Sequence, residues 1–406
     1  MEQKTLIITY DLAPKLGAQS IQISRLLSKS KLPRILIYGD ATPYGNSLNL
    51  YKEVSEESSK TIKINPWLRE RSFLSKLIGK LLQPLFNIPD KRLWWAFKVY
   101  LFLHRTNLLK EENVNTILTF GNPMSSHILG TRLSREYKLQ HIAHYSDPWN
   151  GSPYDTRKGL IKFLNEKLES YVLKNVNHCI FTNSSVLKFY QQRNLDLKSS
   201  VLHHSFDKSA YPININRNGY PQSKYVVRII GDFYGPRSPD LLLKLINRHM
   251  TKNHIVKIEF EFYGQIDIQK FNLMVSNMNL SACVKHYGRV SYTKSLELMC
   301  TCDLLLLIDA NILPNLFLPS KLIDYIGSGT NLFAITNEGP ASYLLEQLGH
   351  NYSTFNELET VIPKLIESLS KGVRRNEADI HIINNYEVES ISSSFDKLML
   401  MLIDSG

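Results

Sequence analysis

The stretch Leu313-Pro-Asn-Leu-Phe-Leu-Pro-Ser-Lys-Leu-Ile-Asp-Tyr-Ile-Gly-Ser-Gly-Thr-Asn-Leu-Phe-Ala-Ile335 follows an apolar run, Leu304 to Ile308. That run is short and rich in Leu and Ile, the composition of a buried strand in a parallel sheet. A loop then brings Pro319 and Ser320 to the start of a helix, where proline costs little and serine can cap. A helix that begins just past a strand end presents unpaired N–H groups and the positive end of its dipole. The backbone at Ser320 to Leu322 is therefore expected to hold a diphosphate with Lys321 beside it. Asp324 falls on about the same helix face, where a carboxylate suits a ribose diol. Gly327 and Gly329 are read as stopping the helix, and Asn331 to Thr336 as starting the next strand. The competing reading is a capped helix whose Lys321 and Asp324 merely face solvent.

With 406 residues and 43% hydrophobic content the chain can bury more than one core, and two domains are expected. An aromatic content of 10% argues against disorder. Cys179, Cys283, Cys300 and Cys302 show no paired metal-ligand spacing and read as reduced thiols of a cytosolic protein. Met-Glu-Gln-Lys runs directly into Thr5-Leu-Ile-Ile-Thr-Tyr10, too short for a signal sequence. No window supplies the roughly 18 uninterrupted apolar residues of a spanning helix. The expected location is the cytoplasm, peripheral at the inner face of the plasma membrane. Formal net charge is +11, and residues 66–110 carry nine Lys/Arg against Glu70 and Asp90. Such a balance suits phosphate-bearing partners, whether a lipid surface, a sugar nucleotide or nucleic acid.

Taken in order, Thr5 to Tyr10 reads as a strand, Ala18 to Ser30 as an amphipathic helix and Arg34 to Tyr38 as a second strand. Gly17, at the loop-to-helix junction, is a place for a ligand to approach the backbone, although no GxGxxG surrounds it. Residues 40–65 look polar and irregular. Leu74, Leu77, Ile78, Leu81, Leu82 and Leu85 then repeat at helical spacing opposite Lys76 and Lys80, and Leu93 to Leu103 opens another helix. These two helices read either as a surface for anionic lipid or a lipid-carried substrate, or as core packed on the sheet. Strands follow at Thr116 to Phe120 and Gln140 to Tyr145, with a helix from Ser125 to Tyr137 between them. Beyond the second strand lies Ser146-Asp-Pro-Trp-Asn-Gly-Ser-Pro-Tyr154. Ligands of open α/β sheets sit past the carboxyl ends of strands, which makes Asp147 the first candidate for a catalytic or acceptor-orienting carboxylate. An Asx-turn that only shapes the loop is its plain alternative.

A helix from Gly159 to Lys174, a strand from His178 to Thr182, a helix opened by Ser184-Ser185 and a strand from Ser200 to His204 complete the first half. Residues 207–224 have the composition of an interdomain connection. The alternation then repeats: strand Tyr225 to Ile230, loop Gly231 to Asp240, helix Leu241 to Met250, strand Val256 to Tyr263 ending in Gly264, and strand Val284 to Tyr287 ending in Gly288-Arg289. A helix from Thr293 to Thr301 leads into Leu304. Such regular β-α alternation, interrupted once, argues for an α/β protein of two doubly wound domains.

On these residues the chain resembles the bacterial GT-B glycosyltransferases of the glycosyltransferase 4 type, over nearly its whole length. The most specific match is Leu318-Pro-Ser-Lys-Leu-Ile-Asp-Tyr-Ile-Gly-Ser-Gly-Thr330, which looks like the family's donor signature. Gly231-Asp-Phe-Tyr-Gly-Pro-Arg-Ser-Pro-Asp240 resembles its first phosphate loop, with Arg237 in the place of the cation that meets the diphosphate. Ile88-Pro-Asp90 with Trp94 and Trp95, Ser146-Asp-Pro-Trp149, and His204-Ser-Phe-Asp207 are supporting matches. The chain departs from the family in three places. The usual pair of glutamates would need an acid at Leu316, and Asp324 stands for the second. The customary arginine of the phosphate loop is Asp232, and the N-terminal double glycine is reduced to Gly17.

The resemblance implies two Rossmann-like domains facing each other across a cleft. Residues 1–206 would bind the acceptor, 207–224 would link, 225–380 would bind the nucleotide sugar, and 381–406 would form a helix returning to the first domain. It implies transfer of a hexose from a nucleotide sugar to a glycan or lipid-linked acceptor of bacterial surface polysaccharide, with retention and without a metal. No cofactor is expected, the nucleotide sugar being a substrate. Asp147, Arg237 and Lys321 are the catalytic candidates, and Gly17, Gly264, Arg289, Val290, Ser320, Lys321, Leu322 and Asp324 the donor contacts. Trp94, Trp95 and Trp149 are assigned to the acceptor. A catalytically silent binding protein, suggested by Leu316, is the alternative from another class. Nucleic acid is not an expected partner, because the basic residues cluster in an aromatic, leucine-rich segment.

Overall fold

The computed structural model of the chain describes residues 3–15, 17–40, 48–65, 88–151, 155–193, 196–212, 224–250, 258–371 and 377–404. Its contacts divide the chain into two compact units, Met1–His203 with Ile391–Gly406, and His204–Ser390.

The first unit contains strands β1 (Lys4–Asp11), β2 (Arg34–Asp40), β3 (Lys60–Lys63), β4 (Val114–Phe120), β5 (Gln140–Tyr145), β6 (His178–Phe181) and β7 (Ser199–Val201). They form one parallel sheet in the order β3-β2-β1-β4-β5-β6-β7. Between them run α1 (Ala18–Lys29), α2 (Leu48–Glu56), α3 (Leu93–Thr106), α4 (Leu108–Glu111), α5 (Ser125–Tyr137), α6 (Gly159–Asn175) and α7 (Ser184–Arg193). The period of two along each strand sends alternate residues to opposite faces. Ile7, Leu36, Leu118 and Ile142 join one core, while Leu6, Ile8, Ile35, Ile37 and Ile117 join the other with Trp95, Val99 and Leu103 of α3.

In the second unit β8 (Tyr225–Ile230), β9 (Ile258–Tyr263), β10 (Val284–His286), β11 (Leu304–Ile308), β12 (Leu332–Ile335) and β13 (Asn351–Ser353) form a parallel sheet in the order β10-β9-β8-β11-β12-β13. Its helices are α8 (Asp240–Met250), α9 (Ile268–Asn277), α10 (Tyr292–Cys300), α11 (Ser320–Ser328), α12 (Pro340–Gln347), α13 (Val361–Lys371) and α14 (Glu377–Asn384). The opening apolar run is β11. Its Leu305 and Leu307 pack with Leu322, Ile323 and Ile326 of α11, and Leu304, Leu306 and Ile308 pack on the other face with Leu242, Leu243 and Ile246 of α8. A strand buried on both faces has no room for polar alternation, hence its unbroken Leu run.

Strand order reverses between β1 and β4 in one sheet and between β8 and β11 in the other. Loops that leave the two sides of such a switch point diverge and open a crevice at the carboxyl ends of the strands. The loops after β8 and β11 are the two sequences singled out above.

The last helix, α15 (Val388–Asp404), belongs to the first unit from Ile391 onward. Ile391, Phe395, Met399 and Leu402 enter the core beside Ile7 and Leu36. Asp396 accepts from Ser30 Oγ at 2.5 Å and from the Lys31 N–H at 2.8 Å, so the helix is fixed by polar as well as apolar contacts.

Some expectations change. Within the stretch 40–65 read as irregular, residues 48–65 hold α2 and the edge strand β3, and β3 pairs with β2 without an apolar run of its own. Backbone pairing supplied what hydrophobic periodicity did not show. Gly327 does not stop α11, which continues to Ser328 and ends at Gly329 with φ 72. Gly327 instead lets Phe206 approach, since a Cβ there would lie 2.6 Å from the Phe206 ring. The amphipathic helix read at Leu74 to Leu85 and most of the 207–224 connection lie outside the described residues.

Phe395→Ala should destabilise the protein by about 3–5 kcal/mol, because its ring is fully buried in the first unit's core. Urea unfolding followed by circular dichroism measures this, and a loss below about 1 kcal/mol would contradict the placement of α15 in the core.

Candidate functional site

The candidate site is built on the carboxyl edge of the second sheet. Tyr325, fully buried on α11, donates its hydroxyl proton to Ile230 O and accepts from Ile230 N–H, both at 2.9 Å. That pair of bonds satisfies the backbone at the end of β8 and pins α11 beside it. Beyond Ile230 the chain turns through Gly231, φ 134, and a Cβ there would come within 3.3 Å of Lys321 Cδ and Nζ. Gly264, φ 129, closes the other side: its Cβ would lie 2.4 Å from Gly231 O, so only glycine fits.

Arg237 is held from beneath. Its Nη2 lies 3.1 Å from Asp309 Oδ1, at the end of β11, and its Nη1 donates to Tyr234 Oη at 3.3 Å. Asp309 is buried, accepts from the Ala310 N–H at 2.8 Å and receives Thr336 Oγ1 at 3.2 Å. A buried carboxylate so engaged fixes the guanidinium rather than leaving it on a mobile arm.

Lys321 sits in the first turn of α11, partly buried. Among the described residues its side chain makes no hydrogen bond and no ion pair. Burial first, and the charge of Arg237 second, draw its pKa down to about 7 against the opposing pull of Asp309 and Asp232. Asp232 is engaged elsewhere: its Oδ1 accepts from the Gln265 N–H at 2.7 Å, and Arg289 Nη2 reaches its Oδ2 at 2.5 Å. Burial works to raise the Asp232 carboxyl, but the bonds from Arg289 and Gln265 together with the charges of Arg289 and Lys321 hold it below the usual range.

The remaining second-unit candidates divide. Pro319, not Ser320, precedes the helix, and no side chain caps it, so the serine cap expected from sequence is absent. Leu322 is fully buried in the core and offers only its backbone. Asp324 is buried rather than solvated, and its carbonyl accepts from Tyr211 Oη at 2.8 Å. The reading of Lys321 and Asp324 as a solvent face is thereby excluded. Arg289 is half exposed and committed to Asp232, while Val290 packs against the core. Leu316, where the resembled family carries an acid, is buried together with Phe317 and Leu318.

No protein-family model matches the sequence, and no curated protein matches it. Solved structures do match in fold. Sucrose-phosphate synthase from Thermosynechococcus elongatus is 14% identical, with full coverage of both chains and a TM-score of 0.69. Anabaena HepE, solved with UDP-glucose, is 14% identical over 98% of this chain and 99% of its own, TM-score 0.69. The lipopolysaccharide outer core galactosyltransferase WaaB is 12% identical over 98% and 99%, TM-score 0.63. The fold is GT-B.

In the first unit of this GT-B chain, Asp147 follows β5 and its Oδ2 accepts from Asn122 Nδ2 at 3.4 Å, joining the loops after β4 and β5. Trp149 is not a free aromatic face. Its indole is buried, donating Nε1–H to Asn165 Oδ1 at 3.0 Å, while its backbone N–H meets Tyr190 Oη at 2.9 Å. Glu169 organises that loop by accepting from Tyr190 Oη at 2.7 Å and Asn150 Nδ2 at 3.0 Å. Trp95 is likewise core, edge-on to Tyr10 at 5.1 Å. Both tryptophans are buried and leave no face for an acceptor. Trp94 is 44% exposed and stacked on Phe97 at 5.4 Å. Gly17 is extended backbone, and a Cβ would meet Ser20 Oγ at an ordinary 3.6 Å, so nothing there requires glycine.

Asp309, Tyr325 and Glu169 were missed from sequence. Asp309 carried a signal, being the first polar residue after an unbroken apolar strand; the other two act through distant partners that spacing does not reveal. Among the described residues no group of His, Cys, Asp or Glu is fit to hold a metal, and no helix is long and apolar enough to cross a membrane.

Tyr325→Phe leaves the Ile230 N–H and C=O without their buried partner and should cost about 1–3 kcal/mol. Chemical denaturation of the variant against the parent checks this, and equal stability would show that α11 is held without the tyrosine.

Proposed function

We propose that this protein is a glycosyltransferase of the glycosyltransferase 4 type that moves a hexose from a nucleotide sugar to a glycan or lipid-linked acceptor in bacterial surface polysaccharide synthesis. The observation that carries the reading is Lys321: an amine whose Nζ has no hydrogen-bond acceptor among the described residues, enclosed beside Arg237, at the uncapped first turn of a helix. An anion is the complement of that arrangement. The switch-point position, and the UDP-glucose held by HepE, support a nucleoside diphosphate there.

As the sugar leaves, negative charge builds on the diphosphate. Lys321, Arg237 and the N–H groups at Ser320 to Leu322 stabilise it, and with two cations and a dipole in place the reaction proceeds without a metal. Gly231 and Gly264 let the phosphates approach the backbone. The nucleobase rests near Tyr263-Gly264 and Arg289-Val290, and Asp324 serves the ribose. Asp147 is assigned to the acceptor hydroxyl. The reaction is retaining, a reading that follows the family resemblance and is checked by the anomeric configuration of the product. Trp94 and Phe97, exposed on α3 near Lys98, face anionic headgroups or the lipid of the acceptor at the inner face of the plasma membrane.

Incubation with UDP-, GDP-, ADP- and CDP-sugars and bacterial lipid extract should release nucleoside diphosphate from one of them. Lys321→Met or Arg237→Met should lower kcat about 10²–10³-fold. Absence of release from every donor, or variants as fast as the parent, removes the transferase reading. Sedimentation with vesicles containing phosphatidylglycerol should bind the parent and lose the Trp94→Ala/Phe97→Ala variant; equal binding would clear α3 of a membrane role.

A further inference from the structure

Five charged side chains meet around Gly231: Lys321 of α11, Arg237 and Asp232 of the loop after β8, Asp309 at the end of β11, and Arg289 after β10. The two carboxylates are each bound to an arginine, Asp309 to Arg237 and Asp232 to Arg289. With Lys321 as a neutral amine the five groups sum to zero; with an ammonium they sum to +1. Arginine keeps its charge at any pH a protein meets, so the lysine is the member that adjusts. Its Nζ is held against Gly231, among the described residues without an acceptor to stabilise the proton.

We propose that a nucleoside diphosphate entering the site, where both neighbouring carboxylates are already paired with arginines, is accompanied by one proton taken from solvent onto Lys321 Nζ. This rests on the reading of the site as a diphosphate site. The anion supplies the missing counter-charge, and an opposite charge within about 4–6 Å favours the ionised form. The sign follows. In the free protein the amine holds its proton only below about pH 7, the complex holds it to higher pH, and between those limits the complex carries more protons than its parts. Affinity therefore falls as pH rises through that window, by up to about tenfold per unit. Below it the amine is already charged and no proton is taken up there by Lys321.

Isothermal titration calorimetry of the full chain decides this, with UDP, GDP, ADP and CDP at pH 8 in buffers of different ionisation enthalpy. At that pH the terminal phosphate is already fully ionised, its last pKa being about 6. The expected result is uptake of roughly 0.9 proton per diphosphate, with affinity about tenfold lower at pH 9. Independently, ¹³C NMR of lysine-labelled protein should show one Cε resonance titrating near neutrality in the free parent and missing from Lys321→Arg. Binding at pH 8 with uptake below about 0.2 proton, or no neutral-titrating lysine, overturns the inference while the diphosphate site stands. Failure of all four nucleotides to bind between pH 6 and 9 removes both.

Discussion

The hydroxyl of Tyr325, shared between the N–H and C=O of Ile230, is the contact on which the candidate site depends. It joins the first turns of α11 to the last residue of β8, across the point where strand order reverses. Without it the Gly231 turn and Lys321 would belong to separate elements with no fixed distance between them. The bond is affordable because both partners are buried and each backbone group would otherwise be unsatisfied. Apolar packing of Leu322, Ile323 and Ile326 against β11 sets the depth of the helix, and the tyrosine sets its rotation.

Charge is distributed on that frame with one carboxylate too few. Asp309, in the floor of the loop, orients Arg237, and Asp232 anchors Arg289 where the resembled family has an arginine in the first of these loops. The acidic position of that family is Leu316, turned into the core. Of these two departures, the one at Leu316 leaves an acid out while the one at Asp232 adds a carboxylate that is spent on Arg289, so a diphosphate would complete the electrostatics around Lys321. The first unit shows a different economy: its loop after β5 is built around buried Glu169, Tyr190 and Trp149, which give Asp147 a shaped support.

Fold was readable where hydrophobic patterning was strong. Leu304 to Ile308, Tyr225 to Ile230 and Gln140 to Tyr145 announce buried parallel strands, and their observed limits coincide with those runs. Lys60–Lys63 was invisible because an edge strand pairs by backbone and needs no apolar run. At the site, Lys321 and Arg237 were legible as cations near strand ends, and the structure gathers them with Gly264. Trp95 and Trp149 misled, since an aromatic next to a turn reads the same whether it faces a ligand or props up the loop. Their burial follows from neighbours distant in sequence, Tyr10 for one and Asn165 for the other. The role of Gly327 also needed a distant partner, Phe206, before it could be distinguished from a helix stop.

The central claim is that the helix start at Ser320-Lys321, with Arg237, is built to receive a diphosphate. A crystal structure of the protein with a bound nucleoside diphosphate tests it most directly. The account predicts phosphate oxygens within about 3.2 Å of Lys321 Nζ and of backbone N–H groups of the first turn of α11, with Arg237 engaging the same group. A diphosphate ordered elsewhere, with Lys321 and Arg237 making no contact to it, would contradict the account.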